Sequence, residues 1–107
     1  MKRLSTFEEI DEFIKSNDFS LLYFGLPNCD VCDALFPKVQ TMLEDYPNIK
    51  LGRVYLNENA ELGGKFSIFT VPAILVYIEG KEAIREARFI NMDLLENSIK
   101  RYYDMFY

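Results

Sequence analysis

Two cysteines at the junction of an apolar run and a helical pattern constrain the fold of this chain more than any other feature of its sequence. Residues 21–24, Leu-Leu-Tyr-Phe, form a short continuous apolar run that a Gly-Leu-Pro loop closes. Such a run is typical of a strand buried on both faces of a sheet. Cys29 and Cys32 follow, and apolar residues then recur at helical spacing as far as Tyr46. The pattern predicts a helix that carries both cysteines in its first turn, with Asn28 as its cap.

The spacing of the cysteines indicates thiol–disulfide chemistry. Residues i and i+3 of a helix face each other about 5 to 6 Å apart, so a reversible disulfide can form there without movement of the backbone. At a helix N-terminus, unpaired N–H groups and the helix dipole favour the thiolate, which is the species that attacks a disulfide. We therefore predict Cys29 as the nucleophile and Cys32 as the resolving thiol of two successive exchanges.

Acidic neighbours oppose full activation of this pair. Asp30 and Asp33 suit a helix N-terminus but repel a nearby thiolate. No Lys or Arg lies closer in sequence than Lys38. We expect a modestly lowered pKa at Cys29 and a comparatively reducing couple.

The composition excludes several kinds of chemistry. The chain has no histidine, which removes imidazole bases, Cys-His pairs and histidine metal ligands. Because two cysteines can supply the covalent chemistry alone, we expect neither a cofactor nor a metal ion. Lys and Arg total 12 against 17 Asp and Glu, a formal charge of -5. This balance disfavours nucleic acid and anionic membranes as partners.

Length and hydrophobicity predict one domain over residues 1–107, since a 50% hydrophobic share suffices for a single core. Acidic residues interrupt residues 1–13, where a signal peptide would have its apolar region. The longest apolar runs fall far short of the roughly 20 residues that a membrane-spanning helix needs. We expect a cytoplasmic monomer with no membrane association.

The other elements follow from periodicity and from helix and strand breakers. Predicted helices cover residues 7–17, 29–46, 60–66 and 95–106, and further predicted strands cover residues 51–56, 73–78 and 83–89. Pro37 should kink the second helix, and Gly80 should turn the last two strands into an antiparallel hairpin. The order predicts an α/β fold with a central mixed sheet of four to five strands and helices on both faces.

These features together resemble the thioredoxin family over nearly the whole chain. The matching residues are the segment PNCDVC at residues 27–32, Pro37 five residues after the second cysteine, and Thr-Val-Pro at residues 70–72 before a buried strand. The resemblance implies a thioredoxin-like fold and an enzyme that reduces protein disulfides, with an upstream reductase as a second partner. It also implies that Val71 and Pro72 form the substrate platform, with a cis peptide bond between them.

Departures from the family pattern concern the surroundings of the cysteines. Asn28 stands where the family typically has Trp, and Asp30 begins a dipeptide that replaces Gly-Pro. Tyr23 occupies the place of a buried Asp that is thought to take the proton of the second cysteine. We expect Asn28, Asp30, Asp33 and Tyr23 to modulate the reactivity of the pair.

Recycling of Cys32 is the step that these departures affect. Arg53 alone matches the basic residue that accompanies the family's buried Asp, and we otherwise expect it to be a surface or edge residue. Arg88 replaces a glycine near the final strand. We expect resolution by Cys32 to be slower near neutral pH than in an ordinary thioredoxin, or to use Asp33 or Glu58 as the proton acceptor.

Alternative interpretations accompany each of these assignments. The cysteines could be inert buried thiols, or half of a metal site shared by two chains, because structural zinc takes four ligands. Tyr23 is expected to be a core residue rather than a catalytic one. The alternative function is a redox-inactive or sensor-type binding module with a thioredoxin-like fold.

Overall fold

The computed structural model describes all 107 residues and contains one five-stranded mixed sheet of order β1-β3-β2-β4-β5. The strands are β1 (Lys2–Leu4), β2 (Phe19–Gly25), β3 (Lys50–Tyr55), β4 (Ala73–Ile78) and β5 (Lys81–Ala87). The helices are α1 (Phe7–Ser16), α2 (Asp30–Leu43), α3 (Leu62–Lys65) and α4 (Met92–Phe106), with a short 3₁₀ turn at Leu56–Glu58. Strand β3 pairs parallel to β1 and β2, whereas β4 pairs antiparallel to β2 and β5. The predicted mixed sheet is confirmed.

Strand β2 is buried along its whole length and separates two hydrophobic cores. Leu21 and Tyr23 pack into one core with residues of α2 and α4. Leu22 and Phe24 alternate with them and pack into the other core with residues of α1 and α3. Full burial of such side chains contributes about 1.5–3 kcal/mol each, which explains why this strand is apolar at consecutive positions.

Strand β1 was not predicted, and it changes the position of β3. It has only three residues, of which Lys2 and Arg3 are exposed and Leu4 is fully buried. Because β1 pairs along the outer side of β3, β3 is an internal strand. Arg53 is therefore not on an edge strand, and its side chain is partly covered, with 15% of it exposed.

Several predicted element ends differ from those observed, and a left-handed residue accounts for two of the differences. Asn28 has a left-handed backbone (φ 61), so Cys29 takes the cap position that was predicted for Asn28. Strand β5 ends at Ala87 rather than at Phe89, because Arg88 also adopts a left-handed backbone (φ 74) and turns the chain out of the sheet.

Pro37 lies inside α2, as predicted, where it leaves the carbonyl of Asp33 without its usual helical N–H donor. None of the helices combines the length and the apolarity that crossing a membrane requires.

Candidate active site

Cys29 and Cys32 form a disulfide across the first turn of α2, with their Cα atoms 5.2 Å apart. Cys32 is fully buried, whereas Cys29 is only half-buried. Cys29 Sγ accepts a hydrogen bond from the backbone N–H of Cys32 at 3.2 Å, and the Cys29 carbonyl accepts one from the N–H of Asp33 at 3.0 Å. Cys29 is thus both the cap of the helix and the sulfur that a partner can reach.

The position of Cys29 favours a negative sulfur once the disulfide is reduced. The first N–H groups of a helix have no partner within the helix, and they lie at the positive end of the helix dipole. Here one of those N–H groups already points at Cys29 Sγ. The arrangement can therefore stabilise a thiolate at Cys29 without any imidazole.

Tyr23 links β2 to this turn of the helix. Its side chain is fully buried, its hydroxyl donates a hydrogen bond to the carbonyl of Cys32 at 2.7 Å, and its ring packs edge-on against Phe36 with centroids 5.1 Å apart. Burial raises the pKa of Tyr23 to about 12, against a smaller opposite effect of Arg53. Tyr23 is therefore a neutral donor near neutral pH and cannot take the proton of Cys32.

Tyr23→Phe is expected to change the free energy of unfolding in a pH-dependent way. Near neutral pH the variant loses the hydrogen bond to Cys32 and should be less stable by about 1 kcal/mol. The pKa of Tyr23 is about 12 in the folded state and near 10 when unfolded, so its contribution to stability is full below pH 10 and declines as pH rises towards 12. Denaturant titrations of both proteins should show the difference shrinking over that range. A difference that stays constant from neutral pH to about pH 12 would contradict the assignment.

Arg53 of β3, the neighbour of Tyr23 across the sheet, also contacts the first turns of α2. Its guanidinium lies over the ring of Phe36 at 4.1 Å and over the ring of Tyr55 at 4.8 Å, and it binds Asp33 Oδ1 at 3.2 Å. Stacking between two rings is a geometry that suits arginine better than lysine. Sequence reasoning missed this role because two of its three partners, Asp33 and Phe36, belong to α2 and are distant from Arg53 in the sequence.

Both carboxylates considered as proton acceptors for Cys32 are bound to arginines. Asp33 pairs with Arg53, and Glu58 pairs with Arg3 at 3.0 Å. Neither carboxylate makes a hydrogen bond to Cys32 in this oxidised state. Asp30 lies in the same helical turn, is exposed and takes part in none of the five ion pairs.

The predicted platform residues lie at the neighbouring strand end. The Val71–Pro72 peptide bond is cis, Pro72 is buried and Val71 is half-buried. The antiparallel pairing of Phe24 with Ala73 brings Pro72 and the end of β2 to the same edge of the sheet. The backbone at that end of β2 passes close to Cys32, since a Cβ built on Gly25 would lie 3.4 Å from Cys32 Sγ.

A mixed sheet of this order, followed after β2 by a helix with a disulfide in its first turn, defines a thioredoxin-like protein. Residues 3–101 match the family model of thioredoxin, and the chain belongs to the thioredoxin family.

Individual relatives agree with this assignment. The chain is 42% identical over 106 residues to the thioredoxin-like protein YdfQ of Bacillus subtilis (strain 168), an alignment that covers 99% of this chain and 95% of that protein. It is 22% identical over 102 residues to the thioredoxin of Chlamydia pneumoniae, covering 95% and 99% of the two chains. The fold is similar to that of a mutant thioredoxin from Halobacterium salinarum NRC-1, with a TM-score of 0.85, 22% identity and coverage of 95% and 89%.

Proposed function

We propose that this protein is a thiol–disulfide oxidoreductase that reduces protein disulfides through Cys29 and Cys32. The observation that carries the proposal is the asymmetry of the pair: a half-buried sulfur caps the helix, and a fully buried sulfur lies one turn behind it. Such an arrangement lets a partner reach one sulfur while the other attacks only from inside. Membership of the thioredoxin family supports the same activity.

The reaction proceeds by two exchanges. The thiolate of Cys29 attacks one sulfur of a substrate disulfide, a Cys29–substrate bond forms, and the other substrate sulfur leaves and takes up a proton. Cys32 then loses its proton and attacks Cys29 Sγ, which forms the Cys29–Cys32 disulfide and releases the first substrate sulfur as a thiol. Two electrons pass from the pair to the substrate. Of the two protons that the substrate takes up, one replaces the proton lost by Cys32 and the other comes from solvent, which received it when the Cys29 thiolate formed. A dithiol or an upstream reductase returns the electrons for the next cycle.

The backbone around the pair positions the substrate. Val71 and Pro72 lie at the strand end beside the disulfide and would pair with an extended substrate segment. Asn28 holds the loop before Cys29 in a left-handed turn, so Cys29 rather than Asn28 caps α2. This places Cys29 Sγ at the accessible rim of the helix.

Three further side chains modulate the chemistry. Asp30 lies beside Cys29 without an ion-pair partner and opposes the thiolate, whereas the charge of Asp33 is offset by Arg53. Tyr23 fixes the Cys32 carbonyl and so the orientation of the resolving residue. Tyr23 is protonated, and the two candidate carboxylates are held away from Cys32 in ion pairs, Asp33 with Arg53 and Glu58 with Arg3. Resolution by Cys32 should therefore be slow near neutral pH.

The wider role follows from this activity. As a single domain over residues 1–107, the protein would act as a monomer in the cytoplasm, where thiols are kept reduced. It would pass electrons from a reductase to protein disulfides and contribute to electron transport and cell redox homeostasis. Neither nucleic acid nor a membrane is required as a partner.

Reduction of a model protein disulfide tests the proposal. With dithiothreitol as donor, catalytic amounts of the protein should accelerate the precipitation of insulin chains, and the same protein reduced and then alkylated with iodoacetamide should not. The alkylated protein is the matched control, because iodoacetamide reaches the half-buried Cys29 and removes the nucleophilic thiol. Equal rates with and without active protein would favour a binding module in place of an oxidoreductase.

A further inference from the structure

A groove beside the active-site turn combines exposed apolar side chains with one positive charge. It has a volume of about 460 Å³ and is lined by Val31, Leu35, Arg88, Phe89, Ile90 and Asn91. Val31 lies between the two cysteines and is 61% exposed, and Phe89 is 89% exposed. Side chains this apolar and this exposed next to a reactive sulfur indicate a contact surface.

Arg88 is the only charged residue that lines the groove. Its guanidinium lies 5.7 Å from the centre of the Phe89 ring and takes part in none of the five ion pairs of the structure. An unpaired guanidinium beside apolar surface is a ready partner for a carboxylate, because its planar fork can donate two parallel hydrogen bonds.

The acidic residues of the active site lie on a different side of the helix from this groove. Val31 and Leu35 are four residues apart and share one face of α2, whereas Asp30 and Asp33 share another. Asp33 is turned towards Arg53. The two sides of the site therefore carry opposite charge. A substrate carboxylate is attracted on the side of Arg88 and repelled on the side of Asp30.

The backbone of Arg88 is fixed beside the predicted substrate platform. A left-handed conformation (φ 74) is unfavourable for a residue with a side chain and persists only where the surroundings impose it. Here β5 has just ended at Ala87, and the N–H of Arg88 donates a hydrogen bond to the carbonyl of Pro72 at 2.9 Å. The position of Arg88 is thereby tied to that of the substrate platform.

We infer that Arg88 determines specificity in disulfide reduction. The groove selects extended substrate segments that carry an aromatic or aliphatic side chain and a carboxylate close to the reacting cysteine. The apolar side chain packs on Val31 and Phe89, and the carboxylate binds the Arg88 guanidinium. The inference rests on the proposed function and adds the class of substrate to it.

Matched disulfide peptides test this selectivity. Three peptides share a Phe beside the cysteine and differ at one neighbouring position, which is Glu, Gln or Lys, and kcat/KM for their reduction is measured at low ionic strength. We expect the Glu peptide to be preferred over the Lys peptide by about threefold to tenfold, and the preference to fall as salt is added. Arg88→Gln should bring the ratio to within about twofold of one, while Arg88→Lys should keep part of it.

Arg101→Gln provides the control, since Arg101 is an exposed arginine of α4 outside the groove. It should leave the preference unchanged. The inference is overturned if the wild type reduces the three peptides equally, or if Arg88→Gln keeps the full preference. If a variant fails to fold, the wild type alone still tests the inference, because a preference for the Glu peptide that does not fall with added salt would contradict it. Failure of the wild type to reduce any peptide would instead refute the proposed function.

Discussion

Cys29→Ser is expected to abolish disulfide reduction, lowering the rate by at least about a hundredfold to the uncatalysed background. A serine hydroxyl is not ionised at neutral pH and does not attack a disulfide, and the remaining thiol of Cys32 is fully buried. The lost activity therefore cannot be supplied by Cys32. The measurement is the insulin precipitation assay with dithiothreitol as donor. A melting temperature close to that of the reduced wild type would show that the variant keeps its fold.

Cys32→Ser separates the roles of the two sulfurs. Cys29 remains at the helix N-terminus and can still attack, but nothing behind it can release the substrate. We expect a covalent Cys29–substrate disulfide to accumulate, visible as a band on a non-reducing gel that dithiothreitol removes. Residual turnover by Cys29→Ser, or a trapped substrate on Cys29→Ser instead of Cys32→Ser, would show that the nucleophile has been assigned to the wrong cysteine.

Gly52→Val is expected to lower the free energy of unfolding by about 1–3 kcal/mol. Gly52 is buried in β3, and a Cβ built there would lie 2.8 Å from Leu4 Cδ1, 3.0 Å from Leu22 Cδ2 and 3.1 Å from Phe13 Cε2. Leu4 and Leu22 are fully buried and have little room to move. A β-branched residue ordinarily stabilises a strand, so it is the crowding at Gly52 that makes the substitution destabilising.

Gly64→Ala is the matched control for crowding. Gly64 lies in the short helix α3, and a Cβ built there would meet no atom within 4 Å. Since Gly is about 1 kcal/mol less favourable than Ala in a helix, this variant should be as stable as the wild type or more so. Denaturant unfolding of both variants gives the comparison. Equal stability of Gly52→Val and the wild type would mean that Leu4 and Phe13 repack without cost.

Much of the fold could be predicted because its strongest signals are local. The apolar run before Cys29 becomes β2, the helical spacing after it becomes α2, and the turn at Gly80 joins β4 to β5. These elements are specified by periodicity and breakers within a dozen residues. Strand β1 could not be predicted in this way, since only Leu4 of its three residues is buried and its pairing with β3 bridges about 50 residues of sequence.

In the candidate site, too, the features set by neighbouring residues could be predicted and those set by long-range contacts could not. Cys29 and Cys32 could be found from their spacing, because one helical turn brings them together. The partners of Asp33 and Tyr23 could not be found from the sequence. The Arg53 contact with Asp33 spans 20 positions, and the Tyr23 hydroxyl reaches a backbone carbonyl, which leaves no mark on the pattern of side chains.

By itself, the sequence determined that this protein carries a dithiol pair in the first turn of a helix behind a buried strand, since i,i+3 spacing and apolar periodicity are properties of neighbouring residues. Only the tertiary structure decided that Cys32 is buried while Cys29 is accessible, and that Asp33 forms an ion pair with Arg53. It also decided that Arg88 lies beside Val31 without an ion-pair partner. These depend on which strands pair and which loops meet, and burial and ion pairing are set by those long-range contacts.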